Sequence, residues 1–230
     1  MAQYKRGDHS LVESYKNIRT SIMVQRNIKT ILVTSSEMNE GKTTVVSSLA
    51  KCFSELDGKK ILLMDCDLRK PSIHKHFNLN NEHGLIDILD EKNFTAYIQK
   101  VDSLHILTTG KKTNKAAELL ESDYMKNLLE DLKEYYDYIL IDSPPVSRVN
   151  DACIMAKYVD GTIIVSSSNE VDIELAKLTK KRLMKVNANF IGVVLNKFKD
   201  EDNIYHRYYG EYGELEQNKF KAKLKKIFKR

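Results

Sequence analysis

Gly41-Lys42-Thr43 stands at the junction between an apolar run, Thr30–Ser35, and a segment of helical character that begins at Lys42. An ammonium group and a hydroxyl at the start of a helix suit a phosphate. The first helical amides point at the anion, the lysine reaches its outer oxygens, and the hydroxyl can face a divalent cation. The surrounding residues, SSEMNEGKTT (Ser35–Thr44), keep the G-x-x-x-x-G-K-[ST] spacing of a P-loop, with Ser36 in place of the first glycine. Asn39, Glu40, Gly41, Lys42, Thr43 and Thr44 are therefore expected to cradle the phosphates of a nucleotide. Lys42 would reach the β- and γ-oxygens and Thr43 would ligate Mg²⁺. As a loop residue, Lys42 is expected to be exposed and to matter little for the core.

Carboxylates follow two further apolar runs. Asp65 and Asp67 close KILLMDCD (Lys60–Asp67), and Asp142 lies within YDYILIDSPP (Tyr136–Pro145). Beside a triphosphate these groups would repel one another, so a divalent cation is their natural partner. Mg²⁺ takes one or two carboxylates together with water and phosphate oxygens. A strand-end aspartate can also cap a helix, which accounts for one of the three more easily than for all. Cys52, Cys66 and Cys153 have no zinc spacing and are odd in number, as in a reducing cytoplasm. His74 and His76, the closest histidine pair, are placed on a surface loop rather than at a metal.

The elements that position these residues alternate. Leu11, Tyr15, Ile18 and Ile22 recur at helical spacing and predict a first amphipathic helix. Strands are expected at Thr30–Ser35, Lys60–Asp67, Leu104–Gly110, Tyr136–Pro145, Gly161–Ser168 and Phe190–Phe198. Helices are expected from Lys42 to Leu56, ended by Gly58, at Ser122–Glu134 and at about Val171–Val186. The strands are β-branched and apolar almost throughout, as in a mostly parallel sheet covered by helices on both faces. An α/β P-loop NTPase architecture, similar to the partition ATPases, is the expected fold, with ligands at the carboxyl ends of the strands.

Beyond Phe198 the apolar runs stop. Residues 1–198 are read as the catalytic domain, 199–218 as a tyrosine-rich tail and 219–230 as a basic tail. Tyr205, Tyr208, Tyr209 and Tyr212 fall within YHRYYGEY at a spacing that fits neither a strand face nor a helix face. The last twelve residues carry seven cations and no acid, so against a total of +5 the rest of the chain sums to −2. That balance argues against a broad nucleic-acid surface. Phe220, Leu224, Ile227 and Phe228 form one helical stripe among lysines, a pattern suited to an anionic membrane surface. No window has the length of apolar residues that a spanning helix needs, and the first residues lack the core of a secretion signal.

Taken together, the motifs resemble those of the bacterial tyrosine kinases (BY-kinases) of capsule and exopolysaccharide synthesis, in the form of the separate kinase chain of Gram-positive organisms. The resemblance runs from about Glu13 to Tyr212. It rests on VTSSEMNEGKTT as Walker A, LLMDCDLRKP as Walker A′, YDYILIDSPP as Walker B, Asp151-Ala152, Leu195–Lys197 and the tyrosine cluster. It implies an ATP- and Mg²⁺-dependent kinase that phosphorylates its own Tyr205, Tyr208, Tyr209 and Tyr212 along with other proteins. Thr43 and Asp65 would lie nearest the metal, with Asp142 acting through water. Asp67 would orient the incoming phenol and take its proton, although whether Asp65 or Asp67 is the base stays open. Arg69 would add positive charge, and Asn196 and Lys197 would lie on the adenine side.

The same resemblance implies a homo-oligomeric ring, assembled through an E-x-x-R-x-x-R motif at which Glu13, Lys16 and Arg19 stand. Lys16 replaces the middle arginine and cannot form its bidentate fork. It further implies a membrane-protein activator of the polysaccharide co-polymerase type and a cytoplasmic place at the inner face of the membrane. Met38-Asn39 stands where the family has Pro-Gly, and Asn39 is expected to accept the left-handed conformation. The alternative is a non-kinase switch ATPase of the partition or cell-division type. Those proteins carry a lysine where this chain has Glu37, and they lack the tyrosines.

Overall fold

A computed structural model of the chain describes residues 6–91, 97–168 and 173–197. The tyrosine cluster and the basic tail lie outside the described residues. The chain divides into two units, Met1–Asn196 and Lys197–Arg230, and the first carries every described strand.

In chain order the elements are α1 (Arg6–Met23), β1 (Thr30–Ser35), α2 (Lys42–Ser54), β2 (Ile61–Asp65), α3 (Ile73–Phe77), α4 (Leu85–Glu91), β3 (Ile98–Val101), β4 (Leu104–Leu107), α5 (Ala116–Glu121), α6 (Asp123–Tyr135), β5 (Tyr138–Asp142), α7 (Asp151–Met155), β6 (Gly161–Ser167), α8 (Ile173–Lys185) and β7 (Phe190–Asn196). The strands form one sheet in the order β3-β4-β2-β5-β1-β6-β7. All pairs are parallel except β3–β4. The α/β class and the mostly parallel sheet agree with the sequence reading.

Alternation along the central strands sorts the core into two layers. Ile31, Val33, Ile61, Leu63 and Leu140 pack with Val46, Leu49 and Phe53 of α2 and Ile22 of α1. Leu32, Leu62, Met64, Ile139 and Ile141 pack with residues of α4, α5, α6, α7 and α8. Because β1, β2 and β5 are buried on both faces, their sequences are continuous apolar runs. Ser122 caps α6 by accepting the Met125 N–H at 3.1 Å, which fixes where that helix begins.

Several expectations need correction. β3 was not expected: it is a four-residue, half-exposed edge strand whose sequence, IQKV, alternates too briefly to stand out. It joins β4 through a tight turn with Asp102 at φ 53°. The strands are shorter than the apolar runs, since the residues after Asp65, Leu107 and Asp142 turn into loops. His74 and His76 sit on α3, not on a loop. The α1 stripe fades toward its start: Ile22 is buried, whereas Leu11 is 56% exposed. Among the described residues no helix is long and apolar enough to cross a membrane.

Candidate active site

The carboxylates and the P-loop meet because β2, β5 and β1 are adjacent and parallel, so their carboxyl ends emerge side by side. Register tightens the meeting, for Asp142 is the Cα partner of both Asp65 on β2 and Val33 on β1. The loop after β5 is stitched onto the P-loop. Val146 and Ser147 donate their N–H groups to the carbonyls of Ser35 and Ser36, at 2.9 and 3.2 Å.

The P-loop turns through two left-handed residues, Asn39 at φ 65° and Gly41 at φ 90°. Asn39 thus takes the conformation that the glycine of a Pro-Gly pair would take more cheaply. At Gly41 any other residue would be strained by the φ of 90°, and its Cβ would lie 2.0 Å from Asn196 Nδ2 and displace that side chain. That amide donates to the Glu40 carbonyl at 2.9 Å, placing Asn196 against the back of the loop. The Glu40 side chain is only 2% exposed. Its carboxylate accepts the N–H groups of Glu37, at 2.6 Å, and Ser167, at 3.3 Å, and its burial pushes its pKa up. The sequence reading gave Glu40 only a backbone role. An acid inside a loop built for anions is itself the overlooked signal, since its side chain must turn away from the phosphates.

Lys42 points into the carboxylates. Its Nζ lies 3.2 Å from Asp67 Oδ2 and 3.4 Å from Asp142 Oδ1, and the side chain is 13% exposed. The expectation of an exposed loop lysine is therefore corrected. Burial works against its charge, but Asp142 and Asp67 outweigh burial and hold its pKa above the ordinary lysine value. The Thr43 hydroxyl donates to Asp142 Oδ2 at 2.6 Å and lies 3.0 Å from Ser72 Oγ. Burial pushes Asp142 up, and Lys42 and Thr43 only partly offset it.

Asp65 differs in kind. Its carboxylate accepts the N–H groups of Asp67, Ser72 and Ile73 at 3.0–3.1 Å and so anchors the loop from β2 to α3. Burial first, then the charge of Asp142, push it to about 7 against the pull of the Ile73 and Ser72 amides. Thr43 and Asp65 were expected nearest the metal; the Thr43 hydroxyl lies on Asp142, while the Asp65 oxygens accept backbone amides. Between Asp65 and Asp67 lies Cys66, a fully buried thiol. Burial and the three adjacent carboxylates raise its pKa well above the usual value.

Arg69 forks onto Asp151 through Nε at 2.8 Å and Nη2 at 3.2 Å, so its charge is already matched and the Asp151-Ala152 motif has a local partner. Glu37 pairs with Arg148 at 3.1 Å. On α1, Glu13 and Lys16 form an exposed pair at 3.7 Å, while Arg19 turns inward and donates to the Cys52 carbonyl at 2.5 Å. Lys197 follows β7 at φ 54°. Tyr205, Tyr208, Tyr209 and Tyr212 fall outside the described residues.

A lysine and a threonine at a strand–loop–helix turn, faced by aspartates at the carboxyl ends of β5 and β2, define a nucleotide-binding P-loop fold. Comparison agrees: residues 27–219 match the ParA family, described as "NUBPL iron-transfer P-loop NTPase". Two relatives narrow the class. The tyrosine-protein kinase YwqD of Bacillus subtilis (strain 168) is 36% identical over 204 residues, which cover 86% of each chain. The putative tyrosine-protein kinase CapB of Staphylococcus aureus is 32% identical over 209 residues, 88% of this chain and 91% of CapB. The crystal structure of the chimerical protein CapA2B2 superposes with a TM-score of 0.77 at 31% identity, covering 81% of this chain and 84% of that one. The chain belongs to the bacterial tyrosine-protein kinases. A switch ATPase of the partition type shares the fold but is not favoured, because relatives matched over most of their length are tyrosine kinases.

Proposed function

We propose that this kinase transfers the γ-phosphoryl group of ATP, with Mg²⁺, to Tyr205, Tyr208, Tyr209 and Tyr212 and to other proteins, in the service of capsule or exopolysaccharide synthesis. The observation that carries the reading is the convergence of Lys42, Thr43, Asp67 and Asp142 at one point beside the P-loop.

The donor set fits a nucleotide and a divalent cation. Three buried carboxylates face a single ammonium, so the site has an excess of negative charge that a divalent cation would balance. The hydroxyl and carboxylate oxygens are the hard donors that Mg²⁺ prefers. Among the described residues no three acidic, histidine or cysteine side chains close into a cage, which suits an ion that keeps water and phosphate oxygens. Bound Mg²⁺ would supply charge neutralisation at the phosphoryl oxygens.

The protein's own residues would then divide the remaining work. Thr43 and Asp142 would hold the ion, and Asp65 would fix the loop that carries Asp67. Lys42 would leave its carboxylate partners for the β- and γ-oxygens, and the N–H groups around Gly41 would bind the β-phosphate. A free phenol has a pKa near ~10, so a base is needed at neutral pH, and Asp67 at the rim of the cluster would accept its proton. Asn196 would brace the P-loop from behind, with Lys197 toward the adenine side. Glu13, Lys16 and Arg19 would contribute to a ring of subunits, and a membrane-protein activator would complete the site.

The test is incubation of the purified chain with ATP and Mg²⁺, followed by detection of phosphotyrosine. The signal should appear in the wild type and vanish in Lys42→Met. Undiminished phosphotyrosine in Lys42→Met would overturn the assignment.

A further inference from the structure

Ser72 stands just past LLMDCDLRKP and directly before α3. A serine in that place ordinarily accepts an N–H of the first helical turn through its side-chain oxygen. Ser72 makes no such bond. Asp65 does the capping instead, for its Oδ2 accepts the N–H groups of Ser72 and Ile73, both at 3.0 Å. The Ser72 hydroxyl is left to reach across to α2, where it meets the Thr43 hydroxyl at 3.0 Å. The direction of this bond follows from counting protons. A threonine hydroxyl has one proton and two lone pairs. The Thr43 proton goes to Asp142 Oδ2 at 2.6 Å. Ser72 is therefore the donor and the Thr43 oxygen the acceptor. The second lone pair of that oxygen accepts from the Lys42 ammonium at 3.3 Å.

The Thr43 hydroxyl is thus held from three sides: by an aspartate of β5, by a serine of the loop after β2 and by the lysine of its own loop. Only the lysine has another destination. Once Lys42 turns to phosphate oxygens, one lone pair of Thr43 comes free, while Asp142 and Ser72 still keep the hydroxyl from rotating. We propose that Ser72 is a positioning residue for the divalent cation, its hydroxyl fixing the Thr43 hydroxyl so that the lone pair vacated by Lys42 is the one offered to Mg²⁺. The inference rests on the assignment of Thr43 to the metal in the kinase reading. It also gives Asp65 an influence on the ion without coordination: the carboxylate holds the Ser72 amide, and the Ser72 hydroxyl holds the ligand. Partners one bond removed from a metal change its affinity by about 10–100-fold. A bond between two neutral hydroxyls belongs at the lower end of that range.

Titration calorimetry on the full chain separates the steps, with ADP added first without metal and Mg²⁺ then added to the ADP complex. Ser72→Ala should bind Mg²⁺ about tenfold more weakly than the wild type, with metal-free ADP binding unchanged. Ser72→Thr keeps the hydroxyl and should recover most of the loss. Ser72→Cys, close in size but a weak donor, should resemble Ser72→Ala, and it decides the matter if the alanine variant does not fold. In a Thr43→Ala background, Ser72→Ala should add nothing, since the bond is already gone. In the kinase assay Ser72→Ala should raise the KM for Mg²⁺ more than it lowers kcat. Wild-type Mg²⁺ affinity in the alanine and cysteine variants overturns the proposal, as does a further loss in the Thr43→Ala background. An equal loss of metal-free ADP binding would mark Ser72 as loop packing and overturn it too. Weakened Mg²⁺ binding in a chain that makes no phosphotyrosine would uphold the positioning role and sink the kinase reading, whereas unchanged Mg²⁺ binding in a chain that makes phosphotyrosine would do the reverse.

Discussion

Two groups of charged side chains in this molecule obey opposite rules. At the carboxyl ends of β1, β2 and β5, Lys42, Asp67 and Asp142 are almost out of water, and every charge is pinned by at least two partners. On α1, Glu13 and Lys16 are 64% and 42% exposed and pair with each other. An exposed pair contributes about 0–1 kcal/mol, whereas removing one partner of a buried pair costs about 3–5 kcal/mol. The first group is an architecture, fixed by the strands that bring its members together. The second is a surface whose meaning depends on what it meets.

The largest effect should come from the buried group. Lys42→Met is expected to lower tyrosine phosphorylation at least about 100-fold, the scale for losing one preorganised charge at a transition state. Asp142→Asn should follow closely. Asp65→Asn should be milder in turnover, since its oxygens serve backbone amides. Initial rates with saturating Mg²⁺ decide the order, and equal losses for Asp65→Asn and Asp142→Asn would erase the distinction drawn between them.

Next comes the brace behind the loop. Glu40→Ala removes the carboxylate that accepts the Glu37 and Ser167 N–H groups. Losing the acceptor of a buried donor costs about 1–3 kcal/mol. Denaturant unfolding should show a loss of that size together with a raised KM for ATP, and Glu40→Gln should recover part of both.

A pH series sharpens the contrast further. Asp65 has a folded pKa of about 7, above its ordinary 3.8. The folded state therefore holds its proton more tightly than the unfolded state does. Its contribution to stability is complete below about pH 4 and is lost as pH rises through 7. In Mg²⁺-free buffer, the thermal midpoint of the wild type should fall from pH 5 to pH 8 relative to that of Asp65→Asn. Parallel curves would mean that Asp65 ionises as an ordinary carboxylate.

The smallest effect belongs to α1. Lys16→Arg should leave subunit stability within about 0.5 kcal/mol, yet strengthen self-association in sedimentation by restoring a guanidinium fork. A large change in the unfolding midpoint would show that this pair is structural after all.

Legibility in the sequence follows the same division. Apolar runs long enough to be buried on both faces announced β1, β2 and β5, and a strand followed by a charged motif located the phosphate loop. Which aspartate meets Thr43 was not readable, because it depends on the register of β2 against β5, a contact between residues far apart in the chain. The inward turn of Glu40 and the embrace of Arg69 by Asp151 were hidden for the same reason. β3 escaped notice because an edge strand of four half-wet residues leaves almost no periodic trace. Lys42 looked exposed because its loop was considered without the neighbouring strands that close over it.

Cys66 shares its loop with two aspartates and is shut away from solvent. Reactivity at sulfur requires the thiolate, and burial among carboxylates suppresses that form. Peroxide and alkylating reagents should therefore pass this cysteine by, and the enzyme should keep its turnover through an oxidative episode that disables kinases with an exposed active-site thiol. Cys52 and Cys153 are also buried, with pKa values raised first by burial. All three thiols should therefore react slowly with such reagents in the folded catalytic unit.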